Sequence, residues 1–247
     1  SLMKKKPHFF FFGFGQTAKY FLKELSLSSD KFTLSSTNTK KTRTLYFNKK
    51  KFQSFKFKNQ KYDKKIIKSL QFADYILVSI PPYKKKDLVL KKFKKILSKL
   101  KFKKLIYLSA TSVYGNHNGK WVNENSKLKG KTKFGLGRKL ADNAWTNFRK
   151  ETSLDINILR VSGIYSKENN VLKKIKQKNI YVKEKKYFSR IRIEDLAKVV
   201  KKTFYSPKKS MTLNVSDDKP STNIEVAKFA AKLLKIKSIQ PVPISKF

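Results

Sequence analysis

Gly13-Phe14-Gly15-Gln16-Thr17-Ala18 is the first stretch of the chain whose residue types and spacing could do chemistry. In a G-x-G-x-x-A pattern the first glycine permits a tight turn and the second lets the backbone approach a pyrophosphate. The small third residue allows a helix to pack closely on a strand. Free N–H groups and the dipole at the start of that helix then favour phosphate. The pattern is informative only between a strand and a helix. Both are present: residues 8–12 are an apolar run suited to a buried parallel strand, and Ala18, Phe21, Leu22 and Leu25 recur at helical spacing. Dinucleotide binding is therefore expected, with Gly13, Phe14, Gly15, Gln16 and Thr17 at the phosphates.

A carboxylate about 20 residues further on would hold the ribose hydroxyls of NAD. The matching strand end reads Ser35-Ser36-Thr37-Asn38, with no acid, and Lys40, Lys41 and Arg43 follow. The polar side chains of Ser36, Thr37 and Asn38 beside those cations suit a 2′-phosphate, so NADP(H) is expected over NAD(H). The competing reading is that these cations belong to a general lysine bias.

That bias is strong. The 247 residues carry a formal charge of +44 and no cysteine, and the histidines are His8 and His117. Disulfides, thiolate chemistry and a histidine-rich metal site are excluded; no metal is expected. Arginine, the residue suited to bidentate phosphate and guanine contacts, occurs only at 43, 138, 149, 160, 190 and 192. The lysines run along the whole chain. A solvated lysine surface is expected, with a polyanion-binding protein as the alternative and no specific nucleic-acid partner. No apolar run approaches the roughly 20 residues of a membrane span, and Phe9–Phe12 is too short for a signal peptide. A cytoplasmic protein without a membrane partner is expected, and Ser1-Leu2 ahead of Met3 read as a cloning scar.

The elements that must position these residues alternate. Strands are expected at 8–12, 32–36, 73–80, 105–109 and 154–161, and helices at 16–27, 62–70, 84–100 and 133–151. Residues 40–61 are polar and poorly patterned, though short strands could form at 45–47 and 52–57. The alternation predicts an α/β fold, a Rossmann doubly wound parallel sheet with a small C-terminal α/β lobe. The expected division is a nucleotide-binding domain over 3–161 and a substrate lobe over 162–247. Within that lobe 192–206 packs back on the first domain; short strands are expected near 180, 191 and 213, and helices at 194–205 and 222–235.

From residue 105 onward the chain resembles the extended short-chain dehydrogenases/reductases of the NAD-dependent epimerase/dehydratase group. Leu108-Ser109-Ala110-Thr111-Ser112-Val113-Tyr114-Gly115 is similar to that group's fifth-strand signature. Ala73-Asp74-Tyr75-Ile76-Leu77-Val78-Ser79-Ile80-Pro81-Pro82 and Gly119-Lys120-Trp121-Val122-Asn123-Glu124 resemble an atypical, uncharacterised subgroup. Leu159-Arg160-Val161-Ser162-Gly163-Ile164-Tyr165 and Ser189-Arg190-Ile191-Arg192-Ile193-Glu194-Asp195-Leu196-Ala197 are similar to its later segments. The resemblance implies that Ser79, Ile80, Pro81, Ser109 and Arg138 also contact the cofactor. It further implies an anionic, nucleotide-sugar-like small-molecule substrate held by Thr111, Tyr114, Trp121 and Arg190.

It also exposes a gap. Active members use a Tyr-x-x-x-Lys helix and a strand hydroxyl as acid/base machinery. Aligned on Asp142, those positions hold Phe134, Arg138 and Ala110. Phenylalanine has no proton to transfer, and arginine does not deprotonate. Ser109, Thr111, Ser112, Tyr114, His117 and Arg138 remain as candidates for catalysis, by an oxidoreductase with non-standard acid/base groups. The alternative is a non-catalytic NADP(H) sensor or scaffold. Extended members often dimerise through the helices corresponding to 84–100 and 133–151. Lys84, Lys85, Lys86, Lys91, Lys92, Lys94 and Lys95 on the first make a monomer the expectation here.

Overall fold

The computed structural model describes residues 6–114, 124–130, 133–165, 182–183, 187–188, 190–216, 221–222 and 241–242. Four consecutive phenylalanines make β1 (His8–Phe12) a strand buried on both faces. Strand side chains alternate. Phe9 and Phe11 therefore enter one core with α1 (Gln16–Ser28) and α5 (Ile193–Tyr205). Phe10 and Phe12 enter another with α2 (Lys65–Phe72), α3 (Leu88–Ser98) and α4 (Lys133–Glu151).

The remaining strands are β2 (Thr33–Asn38), β3 (Arg43–Phe47), β4 (Lys50–Lys58), β5 (Lys61–Tyr62), β6 (Tyr75–Val78), β7 (Lys104–Ala110), β8 (Ile156–Val161) and β9 (Gly163–Tyr165). After them come β10 (Val182–Lys183), β11 (Tyr187–Phe188), β12 (Arg190–Arg192), β13 (Thr212–Val215), β14 (Ser221–Thr222) and β15 (Pro241–Val242). The main sheet runs β13-β8-β7-β6-β1-β2-β4-β3, with β5 on β4. From β13 to β4 every neighbouring pair is parallel. Chain order reverses between β1 and β6, the crevice where open parallel sheets bind ligands. The doubly wound sheet expected from the sequence is the one observed.

Two segments were less legible. Residues 43–58 form an antiparallel hairpin whose second strand, β4, pairs in parallel with β2. Lysines interleaved with Phe52, Phe55 and Phe57 make this stretch look unpatterned in sequence. Past Val161 the sheet continues: β13 pairs with β8, so it takes in residues on both sides of the 161/162 boundary, and α5 packs on α1. Residues 180 and 223–235, where a strand and most of a helix were expected, lie outside the described residues.

Lys104 is buried, 4% exposed, at the start of β7. Its ammonium donates to the carbonyls of Thr203 (3.0 Å), Ser206 (2.8 Å) and Lys208 (2.9 Å), and lies 3.7 Å from the Asp155 carboxylate. It thereby satisfies carbonyls that the end of α5 leaves open and ties that helix to the sheet.

Candidate functional site

Gly13 closes β1 at φ +88°, where a side chain is strained. A Cβ there would stand 2.9 Å from Ser79 Oγ and 3.2 Å from Ile80 Cγ1. Both flanking strands hold the turn: Gly13 N–H donates to Thr37 Oγ1 at 2.9 Å, and Ser79 N–H donates to the Phe12 carbonyl at 3.0 Å. Gly15 stands at the N-cap of α1 in extended conformation, and a Cβ there would meet nothing within 4 Å. The first glycine is thus required by the turn, while the second leaves open space at a helix N-terminus.

That space belongs to a cleft of about 950 Å³ at the reversal point. Gly13, Phe14, Gly15, Gln16, Thr17, Thr37, Asn38, Ser79, Ile80 and Pro81 all line it, and so does Arg43. Ser36 lies beneath it, wholly buried, its hydroxyl without a hydrogen-bond partner. The wall formed by Leu45, Tyr46, Phe52, Phe57, Pro82, Tyr83 and Leu88 was missed in the sequence. Apart from Pro82, which ends the Ala73–Pro82 segment, it comes from the hairpin and from residues 83 and 88, which carry no recognisable motif. The Asn38 side chain is committed to its own turn: Oδ1 accepts from the N–H groups of Lys40 and Lys41, and Nδ2 donates to Ser54 Oγ and the Lys41 carbonyl. Arg43 faces the cleft from the hairpin, with Lys58 also on that lining and Lys19 on the α1 side.

Ser109 and Arg138 do not line the cleft. Ser109 Oγ donates to Asp142 Oδ2 at 2.6 Å. Asp142 is fully buried and takes a two-pronged contact from Arg160, both distances 3.0 Å. Arg160 Nη1 also donates to Tyr114 Oη and to the Glu124 carbonyl, each at 3.0 Å, and Tyr114 Oη donates to Asn214 Oδ1 at 2.5 Å. Burial pushes the Tyr114 phenol upward in pKa, with Arg160 opposing. A general base poised near neutrality needs the reverse shift. Thr111 and Ser112 sit in the short 3-10 turn Thr111–Tyr114; the Ser112 hydroxyl is buried and unpartnered. Arg138 Nη1 reaches the Leu108 carbonyl at 3.4 Å, with its guanidinium near Tyr107 and Asp87. Arg190 lies on β12, which pairs with β9, and Arg192 lies 3.7 Å from Glu194. His117 and Trp121 lie outside the described residues, as do the side chains of Phe134 and Tyr165. Among the described residues no cluster of acids and histidines could hold a metal, and no helix is long and apolar enough to cross a membrane.

Behind the cleft wall Asp87 caps α3 through Oδ1, which accepts from Leu90 N–H at 2.9 Å. Its Oδ2 is buried together with Trp145 Nε1 and the Tyr107 hydroxyl, with the Arg138 guanidinium nearby. Burial is the main cause holding the Asp87 carboxyl above its ordinary 3.8. Its contribution to stability is therefore complete below pH 3.8 and is lost as pH climbs through the raised native value. Asp87→Asn keeps the cap oxygen and is expected to remove that decline. Urea unfolding as a function of pH, parent against variant, checks this; parallel curves would mean that the carboxyl ionises freely in the fold.

No family model matches the chain, and no curated protein matches its sequence. Solved structures do. A functionally unknown conserved protein from Silicibacter pomeroyi superposes with a TM-score of 0.80 at 23% identity, over 97% of this chain and 83% of that one. The UDP-N-acetylglucosamine 4-epimerase from Bacillus cereus gives 0.74 at 15% identity, over 98% and 88%. The UDP-glucuronic acid 4-epimerase from Bacillus cereus, solved in complex with NAD, gives 0.75 at 15% identity, over 96% and 86%. The chain shares its fold with these solved structures. The resemblance noted in the sequence implies that β7 and α4 would carry acid/base residues. Here they carry Ala110 and Arg138, with the nearby hydroxyls of Ser109 and Tyr114 hydrogen-bonded into the Asp142–Arg160 pair.

Proposed function

We propose that the chain binds a nicotinamide dinucleotide in the cleft at the β1/β6 reversal point, NADP(H) in preference to NAD(H), next to an anionic small molecule of nucleotide-sugar type. The observation that carries this is the pairing of Gly13, closed against Ser79, with Gly15, open at the start of α1. The first makes the turn and the second admits a pyrophosphate to the helix N-terminus. Glycine, threonine and serine around this cradle fit the group, and Arg43 supplies a cation for a 2′-phosphate. Bound cofactor would supply hydride chemistry; this chain's own residues orient it and shield it from water. The structural neighbours solved with NAD support the dinucleotide part of this reading; the preference for NADP(H) rests on Arg43 and on the strand end Ser36-Thr37-Asn38, which has no acid.

Whether a substrate is turned over rests on groups other than the family's triad. The network that absorbs Ser109 and Tyr114 favours a second reading, a cofactor-binding sensor or scaffold without catalysis. Calorimetric titration with NADPH and then NADH at about 0.15 M salt, where surface charges are largely screened beyond a Debye length, tests binding and preference together. NADPH is expected to bind at least tenfold more tightly than NADH, and Arg43→Ala to narrow that ratio to within about threefold, a loss of at least about 0.7 kcal/mol. Equal affinities in the parent protein would remove the NADP assignment, and no binding of either nucleotide would remove the site. Single-turnover absorbance of bound NADPH against nucleotide-sugars separates the enzyme from the sensor.

A further inference from the structure

Lysines occur along the whole sequence, but their charge is concentrated in two segments that meet in space. Residues 56–68 and 84–103 hold sixteen lysines in 33 positions, with two acids, Asp63 and Asp87. Asp87 is buried and Asp63 accepts from Thr42 Oγ1 and Lys65 N–H. A third of the chain's net charge thus sits in about an eighth of its length. The two segments interlock: Phe57 and Tyr62 each pack edge-on against Phe93, at 5.2 and 4.9 Å, and Lys92 Nζ reaches Gln60 Oε1 at 3.4 Å. They form one surface over the end of β4, β5, α2 and α3. On the opposite layer the lysines of α1 and α5 are interspersed with Glu24, Glu194 and Asp195. α3 carries Lys91, Lys92, Lys94 and Lys95 with no acid of its own, and one of them, Lys94, reaches Glu151. Like charges three and four residues apart destabilise a helix, so a codon or composition bias alone would not concentrate them on one face.

We propose that this face binds the phosphate backbone of duplex nucleic acid without reading base sequence, a function separate from the dinucleotide cleft. The face contains lysine and no arginine, and lysine is a point charge that positions phosphates without the bidentate geometry used on base edges. Its aromatic residues Phe57 and Phe93 are buried inward, and the exposed Phe72 and Tyr83 stand singly at its edges, not as the continuous apolar face that seats a helix in a membrane surface.

The test is fluorescence anisotropy of a labelled duplex of about 20 base pairs at several salt concentrations, using the full chain. One fourfold variant replaces Lys61, Lys65, Lys91 and Lys95 by Glu; a second replaces Lys23, Lys31, Lys198 and Lys202 on the opposite layer. Both change the net charge equally, all eight side chains are exposed, and circular dichroism confirms that both fold. The salt slope of affinity falls by about 0.9 for each phosphate that the protein no longer neutralises. The first variant is expected to lose about three units of slope and at least tenfold in affinity, and the second to lose less than one unit. Equal losses in the two variants would show a diffuse charge effect and overturn the proposal. Tighter binding to anionic phospholipid vesicles than to the duplex would overturn it in favour of a membrane surface.

Discussion

Gly15→Asp is expected to leave the melting temperature unchanged or slightly raised while weakening NADPH binding at least 100-fold. Gly15 has an ordinary extended backbone, φ −98° and ψ −157°, and room for a Cβ, so the substitution introduces no strain. A carboxylate at the start of α1 interacts favourably with the helix dipole, by about 0.3–1 kcal/mol. The same charge occupies the place of the pyrophosphate and repels it; at 4 Å and an effective dielectric constant near 20 the repulsion is about 4 kcal/mol. Gly13→Ala makes the informative contrast. It also loses binding, but at φ +88° with Ser79 Oγ 2.9 Å away it costs stability too, about 1–2 kcal/mol for the backbone conformation alone. Calorimetry for binding and thermal unfolding for stability separate the two. Parent-like NADPH affinity in Gly15→Asp would move the dinucleotide out of this cleft.

The second large effect concerns stability alone. Arg160→Leu takes the two-pronged guanidinium away from the fully buried Asp142 carboxylate and leaves the Ser109 hydroxyl to donate to it. Breaking a buried pair from one side typically costs about 3–5 kcal/mol. In a chain of this size that lowers the melting temperature by roughly 6–20 °C. Replacing both partners, Arg160→Leu with Asp142→Leu, is expected to recover at least half of the loss, because no charge is then left buried alone. Differential scanning calorimetry on the three proteins decides it, and a single-variant loss below about 1 kcal/mol would mean that water reaches the carboxylate.

How much of this was legible beforehand depends on how local each signal is. The glycine turn, the phenylalanine strand and the β6 strand announce themselves within a dozen residues, and all of them flank the cleft. The Asp142–Arg160 network is different. Ser109, Tyr114, Glu124, Asp142, Arg160 and Asn214 come from six places on the chain. A hydroxyl near a strand end looks the same in sequence whether it faces a substrate or a buried carboxylate. The hairpin over 43–58 was obscured for another reason: Lys50, Lys51, Gln53, Lys56 and Lys58 break up the apolar pattern of a strand whose buried residues are Phe52, Ser54, Phe55 and Phe57. The two lysine-dense segments can be counted in the sequence, but that they make one face appears only when they fold against each other.

Lys104 stands apart from the other described lysines because it alone is buried, with its ammonium enclosed by three carbonyls. Amine-acylating reagents attack neutral, accessible amines, so the native protein would be labelled over most of its surface while this position stays protected. Its labelling rate then follows the opening of the α5–β7 junction, and mass spectrometry of a single peptide becomes a clock for that opening. The chain carries an internal chemical reporter, supplied by a residue type that everywhere else in it is background.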